Sequence, residues 1–183
     1  MKINLRRVTT GAVLIAAASA FLFCTGFTKA SDHGNHENGY LKSATYYSDD
    51  WVINFWNSES SHMDEELKQI REDGFNSIIL VVPWREFQPS MAPEHYNDYA
   101  WEKFDRVMKA AKAQDLKVML RVGYTWDYYS SENVLARYEK LLYDSETKKA
   151  WLHYAKRLYE KASAYDNFSG GFITWEDFWN FAE

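Results

Sequence analysis

The chain has 183 residues, of which 46% are hydrophobic and 17% aromatic, and its net charge is −5. A chain of this size can bury one ordinary hydrophobic core. Its acidic balance argues against binding to nucleic acids or to anionic membrane surfaces. The single cysteine, Cys24, lies near the N-terminus. The composition therefore predicts a domain that is stabilised by its core and not by disulfides.

Residues 1–30 have the pattern of an export signal. Basic residues precede the apolar run Val8–Phe23, which is shorter than a comfortable membrane span. We expect cleavage after Ala30, with Ala20 as the second choice and an uncleaved N-terminal anchor as the alternative. Cleavage after Ala30 would remove four basic residues and no acidic ones, changing the net charge from −5 to −9. The expected location is secreted, periplasmic or cell-surface, with no membrane contact after cleavage.

Residues 31–48 are polar and show neither a helical nor a strand period. They predict a linker followed by an irregular lead-in, with the folded domain spanning 49–183. His33, His36 and Glu37 are residue types that bind metals, but in a Gly- and Asn-rich segment they are more often solvated. No metal site is predicted there.

From Trp51 onward, short apolar runs alternate with longer amphipathic ones, a pattern typical of β/α units around a parallel sheet. The pattern predicts an α/β fold with about four such units. The predicted strands are Trp51–Trp56, Asn76–Val82, Lys117–Val122 and Gly171–Thr174. The predicted helices are His62–Glu72, Tyr99–Gln114, Glu132–Leu142 and Glu146–Ala164.

A tryptophan stands at or near the end of each predicted strand. These residues are Trp56, Trp84, Trp126 and Trp175. In parallel α/β folds the carboxyl ends of the strands open onto one face, where ligands bind. The indoles would form a stacking surface for sugar rings, which Tyr124 and Trp179 extend. The alternative is that these rings cap the core.

Charged residues accompany these rings. Arg85 follows Trp84, and Arg121 lies within the third predicted strand. An arginine in such a strand cannot face the apolar helix layer without a partner, so Arg121 is expected to point into the barrel mouth and pair with a carboxylate. Glu176 is the natural candidate for that carboxylate. A purely structural ion pair is the alternative.

Four motifs together resemble the (β/α)8 glycoside hydrolases of clan A, which include cellulase-like and galactosidase-like enzymes. Asp73-Gly74-Phe75-Asn76 leads into the second strand, and the segment from Val82 to Pro89 leaves it. Phe104-Asp105 lies on the second helix, and Thr174-Trp175-Glu176 ends the fourth strand.

The resemblance implies a partial TIM barrel, the N-terminal half of the full fold, and assigns Glu176 as the general acid/base of a retaining glycosidase. It places the nucleophile on a seventh strand, which this chain does not contain. Trp175 stands where the clan usually has Asn. The expected protein is thus an exported glycoside hydrolase acting on a polysaccharide or oligosaccharide, truncated before its nucleophile and inactive by itself. This chemistry needs no cofactor or metal.

Two other functions stay open. The chain could be a carbohydrate-binding protein that kept the aromatic surface without the chemistry. It could also be a remnant or a surface interaction protein. A half barrel leaves strand edges unpaired, so self-association through those edges is a further expectation.

Overall fold

The computed structural model describes residues 40–123 and 134–173, which lie in one compact unit beginning at Tyr40. In chain order the strands are β1 (Ser43–Thr45), β2 (Ser77–Pro83), β3 (Ser90–Met91), β4 (Glu94–His95), β5 (Lys117–Gly123) and β6 (Phe168–Ile173). The helices are α1 (Met63–Glu72), α2 (Trp84–Phe87), α3 (Asp98–Ala113), α4 (Val134–Tyr143) and α5 (Ser145–Ala162). A 3-10 helix covers Asn54–Asn57.

The main sheet has the order β1-β2-β5-β6, and every pair in it is parallel. β3 and β4 form a separate two-stranded hairpin. The prediction of an α/β fold with a four-stranded parallel sheet is therefore confirmed. Parallel neighbours require crossover connections, which here are helices. The predicted boundaries of β2, β5 and the four longer helices agree with the structure to within about three residues.

The first predicted strand is wrong. Trp51–Trp56 contains a turn and the beginning of the 3-10 helix, whereas the first strand of the sheet is β1, within the predicted linker 31–48. Three residues of mixed polarity leave almost no strand period to detect. β1 exists because its backbone pairs with β2, in the register Ser43 to Ser77 and Thr45 to Ile79.

One side of the sheet is covered by helices. Leu80, Val82 and Leu120 are fully buried there. They pack with the apolar stripe of α3, formed by Phe104, Val107, Met108 and Ala111, and with Tyr154 and Leu158 of α5. Burying each Val, Leu, Phe or Met side chain of this set stabilises the fold by roughly 1.5–3 kcal/mol. This layer is the main core of the described chain.

The opposite side of the sheet is only partly covered. Successive strand residues point to opposite faces, so Val81, Arg121 and Phe172, which are neighbours in register, share this second face. Val81 is buried under Val52 from the segment after β1, while Arg121 and Phe172 are half-buried. In a closed barrel this face would be the interior.

β6 begins at Phe168, three residues before its predicted start at Gly171. The prediction missed these residues because two glycines, Gly170 and Gly171, interrupt the apolar pattern. Gly170 has a φ of +118° and lies at the register shift between Val118 and Met119. A Cβ on Gly171 would lie 2.5 Å from the Tyr159 hydroxyl and 2.9 Å from the Leu120 carbonyl oxygen. The two glycines thus allow β6 to bulge and to approach α5 and β5 closely.

No helix within residues 40–123 and 134–173 combines the length and apolarity needed to cross a bilayer. The predicted signal in residues 1–30 lies outside the described residues.

Candidate functional site

The candidate site lies at the carboxyl ends of β2, β5 and β6, where the tryptophans and charged residues were predicted to converge. Four of the predicted site residues are described: Trp56, Trp84, Arg85 and Arg121. The other five lie outside the described residues: Tyr124, Trp126, Trp175, Glu176 and Trp179.

Trp56 lies in the 3-10 helix and is fully buried. Its ring packs edge-on against Phe87, with ring centroids 4.6 Å apart, and its Nε1 donates a hydrogen bond of 2.9 Å to the Val81 carbonyl. β1 does not extend as far as Val81 of β2, because its last pair is Thr45 with Ile79. The indole therefore takes over the hydrogen bond that a longer β1 would have made. Trp56 offers no ring face to solvent.

Trp84 begins α2 and is also fully buried. Its Nε1 donates to Oε1 of the buried Gln88 over 2.5 Å. Nε2 of Gln88 donates in turn to Glu94 of the hairpin, over 3.2 Å. Trp84 thus connects the end of β2 to the β3–β4 hairpin, and its ring belongs to the core. For these two indoles the core-capping alternative describes the structure, and the expectation of an open stacking surface does not.

Arg121 lies on the sheet face opposite the helix layer. Its neighbours along the strand, Leu120 and Val122, are buried on the helix side, whereas Arg121 is half-buried beside Val81 and Phe172. This arrangement keeps the guanidinium out of the apolar layer, where its desolvation would be costly. Its expected pairing with Glu176 stays a prediction.

Glu86, just after β2, lies in a cluster of polar side chains. The Glu86 carboxylate accepts a hydrogen bond from the Asn57 side-chain amide. Asn97 Nδ2 donates both to the Asn57 side-chain oxygen, over 2.9 Å, and to the Glu86 carbonyl, over 3.0 Å. Burial raises the pKa of the Glu86 carboxyl above its ordinary value, and the Asn57 hydrogen bond opposes that shift. Arg85, next to it, is exposed.

Three distant segments bring Glu86, Asn57 and Asn97 together. Asn97 is also the N-cap of α3, since its side chain accepts from the Ala100 amide. Asn57 and Asn97 carry no distinctive spacing in the sequence, so only tertiary structure could reveal this group. What it supplies chemically is one protonatable carboxyl beside amides that can bind hydroxyl groups.

Sequence reasoning also missed an exposed tryptophan. Trp51, in the turn after β1, is 63% exposed, although it was predicted to be the first residue of a strand. Its ring meets the ring of Tyr47 edge-on, with centroids 6.4 Å apart. An aromatic residue accessible to ligands is thus present at this end of the sheet, at a different position from the predicted one.

Among the residues that the structure describes, no group of three or more His, Cys, Asp or Glu side chains has an arrangement that could hold a metal ion.

Comparison with known proteins identifies structural relatives only. No protein-family profile matches the sequence, and no curated protein is detectably similar to it. A Glu-to-Ala variant of GH5_18 from Bifidobacterium longum, solved in complex with Manβ1-4GlcNAc, is 18% identical, with a TM-score of 0.58 over 73% of this chain. GH5_18 from Streptomyces cattleya in complex with GlcNAc gives the same values. A GH5_18 from B. longum subsp. infantis is 16% identical over 72% of this chain, with a TM-score of 0.56.

These similarities show that the chain has part of the fold of these GH5_18 proteins, a partial (β/α)8 barrel. The match covers 33%, 33% and 32% of the three relatives, so the chain spans about a third of their length. At such low identity the similarity concerns the fold, and the residues of the site must be judged by themselves.

Proposed function

We propose that this chain is the N-terminal part of an exported glycoside hydrolase that cleaves a polysaccharide or oligosaccharide, with Glu176 as its general acid/base. The observation that carries the proposal is β6. It pairs in parallel with β5 and ends at Ile173, three residues before Glu176. In a parallel barrel, residues that directly follow a strand face the ligand-binding end. The glycoside hydrolase fold of the structural relatives supports the same reaction class.

The proposed chemistry uses two carboxyl groups about 5 to 5.5 Å apart. Glu176, protonated, donates its proton to the glycosidic oxygen while the bond from that oxygen to the anomeric carbon breaks. A carboxylate nucleophile forms an ester with the anomeric carbon at the same time. Glu176, now ionised, then removes a proton from water, which attacks the anomeric carbon and releases the nucleophile. We propose that the nucleophile belongs to a later β/α unit.

The sugars found with the structural relatives suggest the first substrates to test. Two of those relatives hold Manβ1-4GlcNAc and GlcNAc. We propose neutral β-linked pyranosides as the substrate class for this chain. The excess of acidic residues, with 26 Asp and Glu against 21 Lys and Arg, disfavours anionic sugars.

The first experiment is to read the coding sequence downstream of codon 183 in all three forward frames. Further β/α units with a glutamate at the end of the seventh strand are expected. Unrelated sequence in every frame would contradict catalysis and would favour the carbohydrate-binding alternative.

The second experiment tests Glu176 in the protein that includes those units. Glu176→Gln should lower kcat on unactivated oligosaccharides by about 10²–10⁴-fold, because the proton donor is lost. Substrates with a good leaving group should lose much less, because they need little protonation. The matched control is Asp177→Asn, the adjacent carboxyl, which should retain most activity. Full activity of Glu176→Gln would disprove the assignment.

A further inference from the structure

The turn after β1 presents a tryptophan to solvent in an unusual way. Trp51 is 63% exposed, yet Val52, its neighbour, is buried against Val81. Exposing an indole forgoes the stabilisation that burial of its large apolar area would give. An exposed indole, here Trp51 beside the half-buried Tyr47, is the kind of surface that binds ligands.

The turn that carries Trp51 is held in place by its own hydrogen bonds. The Phe55 amide donates to the Trp51 carbonyl over 3.0 Å, and the Asp50 amide donates to the Tyr47 carbonyl over 3.3 Å. The Asp50 carboxylate also accepts from the Ser58 hydroxyl. The backbone on both sides of Trp51 is therefore fixed, so a ligand would not have to order it on binding.

The position of the turn places Trp51 at the carboxyl end of the sheet. The turn follows β1, and Val52 covers Val81. Val81 lies on the same sheet face as Arg121, opposite the helix layer. This is the end where β6 leads toward Glu176. A ligand that extends away from the reacting bond could therefore reach the turn.

We infer that Trp51, supported by Tyr47, is a sugar-stacking subsite that binds one pyranose ring of a neutral oligosaccharide. The inference rests on the proposed function and adds a binding residue to it. The flat indole matches the apolar C–H face of a pyranose. The exposed Asp49 and the adjoining Asp50 can accept hydrogen bonds from sugar hydroxyls but would repel an anionic sugar.

The test uses affinity electrophoresis of the full chain in gels that contain glucomannan, hydroxyethylcellulose or glycol chitin. Trp51→Ala should weaken the retardation by at least one of these polymers about tenfold, whereas Trp51→Phe should keep most of it. The matched control is Tyr40→Ala. Tyr40 is another exposed aromatic residue, 86% exposed, but it precedes β1 and lies at the opposite end of the sheet.

Each outcome decides the inference. Selective loss in Trp51→Ala, with an unchanged thermal midpoint, supports it. Retardation of Trp51→Ala equal to that of the unaltered chain overturns it while leaving the proposed function intact. Equal losses in Trp51→Ala and Tyr40→Ala overturn it as unspecific adhesion. No retardation of the unaltered chain in any gel also overturns it, whereas the proposed hydrolase is judged independently by Glu176→Gln in the longer protein.

Discussion

Two neighbouring segments after β1 each contain a tryptophan, which is exposed in one segment and buried in the other. In the turn, Trp51 is 63% exposed, and in the 3-10 helix five residues later Trp56 is fully buried. The turn borders the sheet face opposite the helix layer, where Val52 and Val81 form a small cluster with the partly buried Tyr47 and Ile53. The 3-10 helix packs against α3 and α2, in the main core.

The difference teaches that one segment can combine a buried anchor with an exposed ring. Trp56 donates to the Val81 carbonyl of β2 and is packed in the core, while Trp51 in the same segment stays exposed. A stacking surface was predicted for Trp56 from its position at a strand end. In the structure Trp56 is buried, and the exposed ring is that of Trp51.

The largest expected effect is at the buried ring. Trp56→Ala should lower the free energy of unfolding by about 3–5 kcal/mol, because a large cavity forms in the core. Trp56→Phe should cost about 1–3 kcal/mol, mainly because the buried Val81 carbonyl loses its donor. Urea denaturation followed by circular dichroism measures both. A loss below about 1 kcal/mol in Trp56→Ala would contradict the contrast with Trp51.

The next test concerns Lys103, which clamps the 3-10 helix to α3. Its Nζ donates to the carbonyls of Phe55 and Ser58, the second over 2.8 Å, and lies 3.9 Å from the Phe55 ring centre. Lys103→Met should cost about 1–3 kcal/mol at pH 7, because the carbonyls lose their donor.

The same lysine gives a pH dependence of stability. Burial lowers the pKa of Lys103 to about 8 from an ordinary 10.5. Between these pH values the unfolded chain binds more protons than the folded one, so this group makes stability rise with pH. The difference in unfolding free energy between the unaltered chain and Lys103→Met should therefore grow from pH 8 to pH 10. A difference that stays constant or shrinks over this range would show that folding does not lower the pKa of Lys103.

A destabilisation of similar size is expected at β6, the strand that leads toward Glu176. Gly171→Ala should destabilise the fold by about 1–3 kcal/mol, because the new methyl group would meet the Leu120 backbone and the Tyr159 hydroxyl. Ser169→Ala, an exposed position on the same strand, is the matched control and should change stability by less than about 0.5 kcal/mol. Thermal unfolding compares them. Equal stabilities would mean that β6 is not held this close to β5 and α5.

The smallest effect on stability is expected at the exposed ring. Trp51→Ala should change the free energy of unfolding by less than about 0.5 kcal/mol, because few contacts are lost. The urea denaturation used for Trp56→Ala measures it under identical conditions. A loss comparable to that of Trp56→Ala would remove the distinction between the two regions.

Much of the fold could be predicted from periodicity. β2 is an almost continuous apolar run, and α3 carries apolar residues at helical spacing, so both patterns determine the element and its buried side. The short elements could not be predicted. β1, α2 and the β3–β4 hairpin have two to four residues each, which is too few for a period to appear.

The site was less predictable than the fold. The sequence alone determined that β2, β5 and β6 are strands separated by helices and that Arg121 avoids the helix layer, because these follow from local pattern and from the cost of burying charge. Tertiary structure alone decided which tryptophans are buried and how Glu86 meets Asn57 and Asn97. The physical reason is that a ring or an amide is equally compatible with core and surface, so its place depends on partners that are distant in the chain.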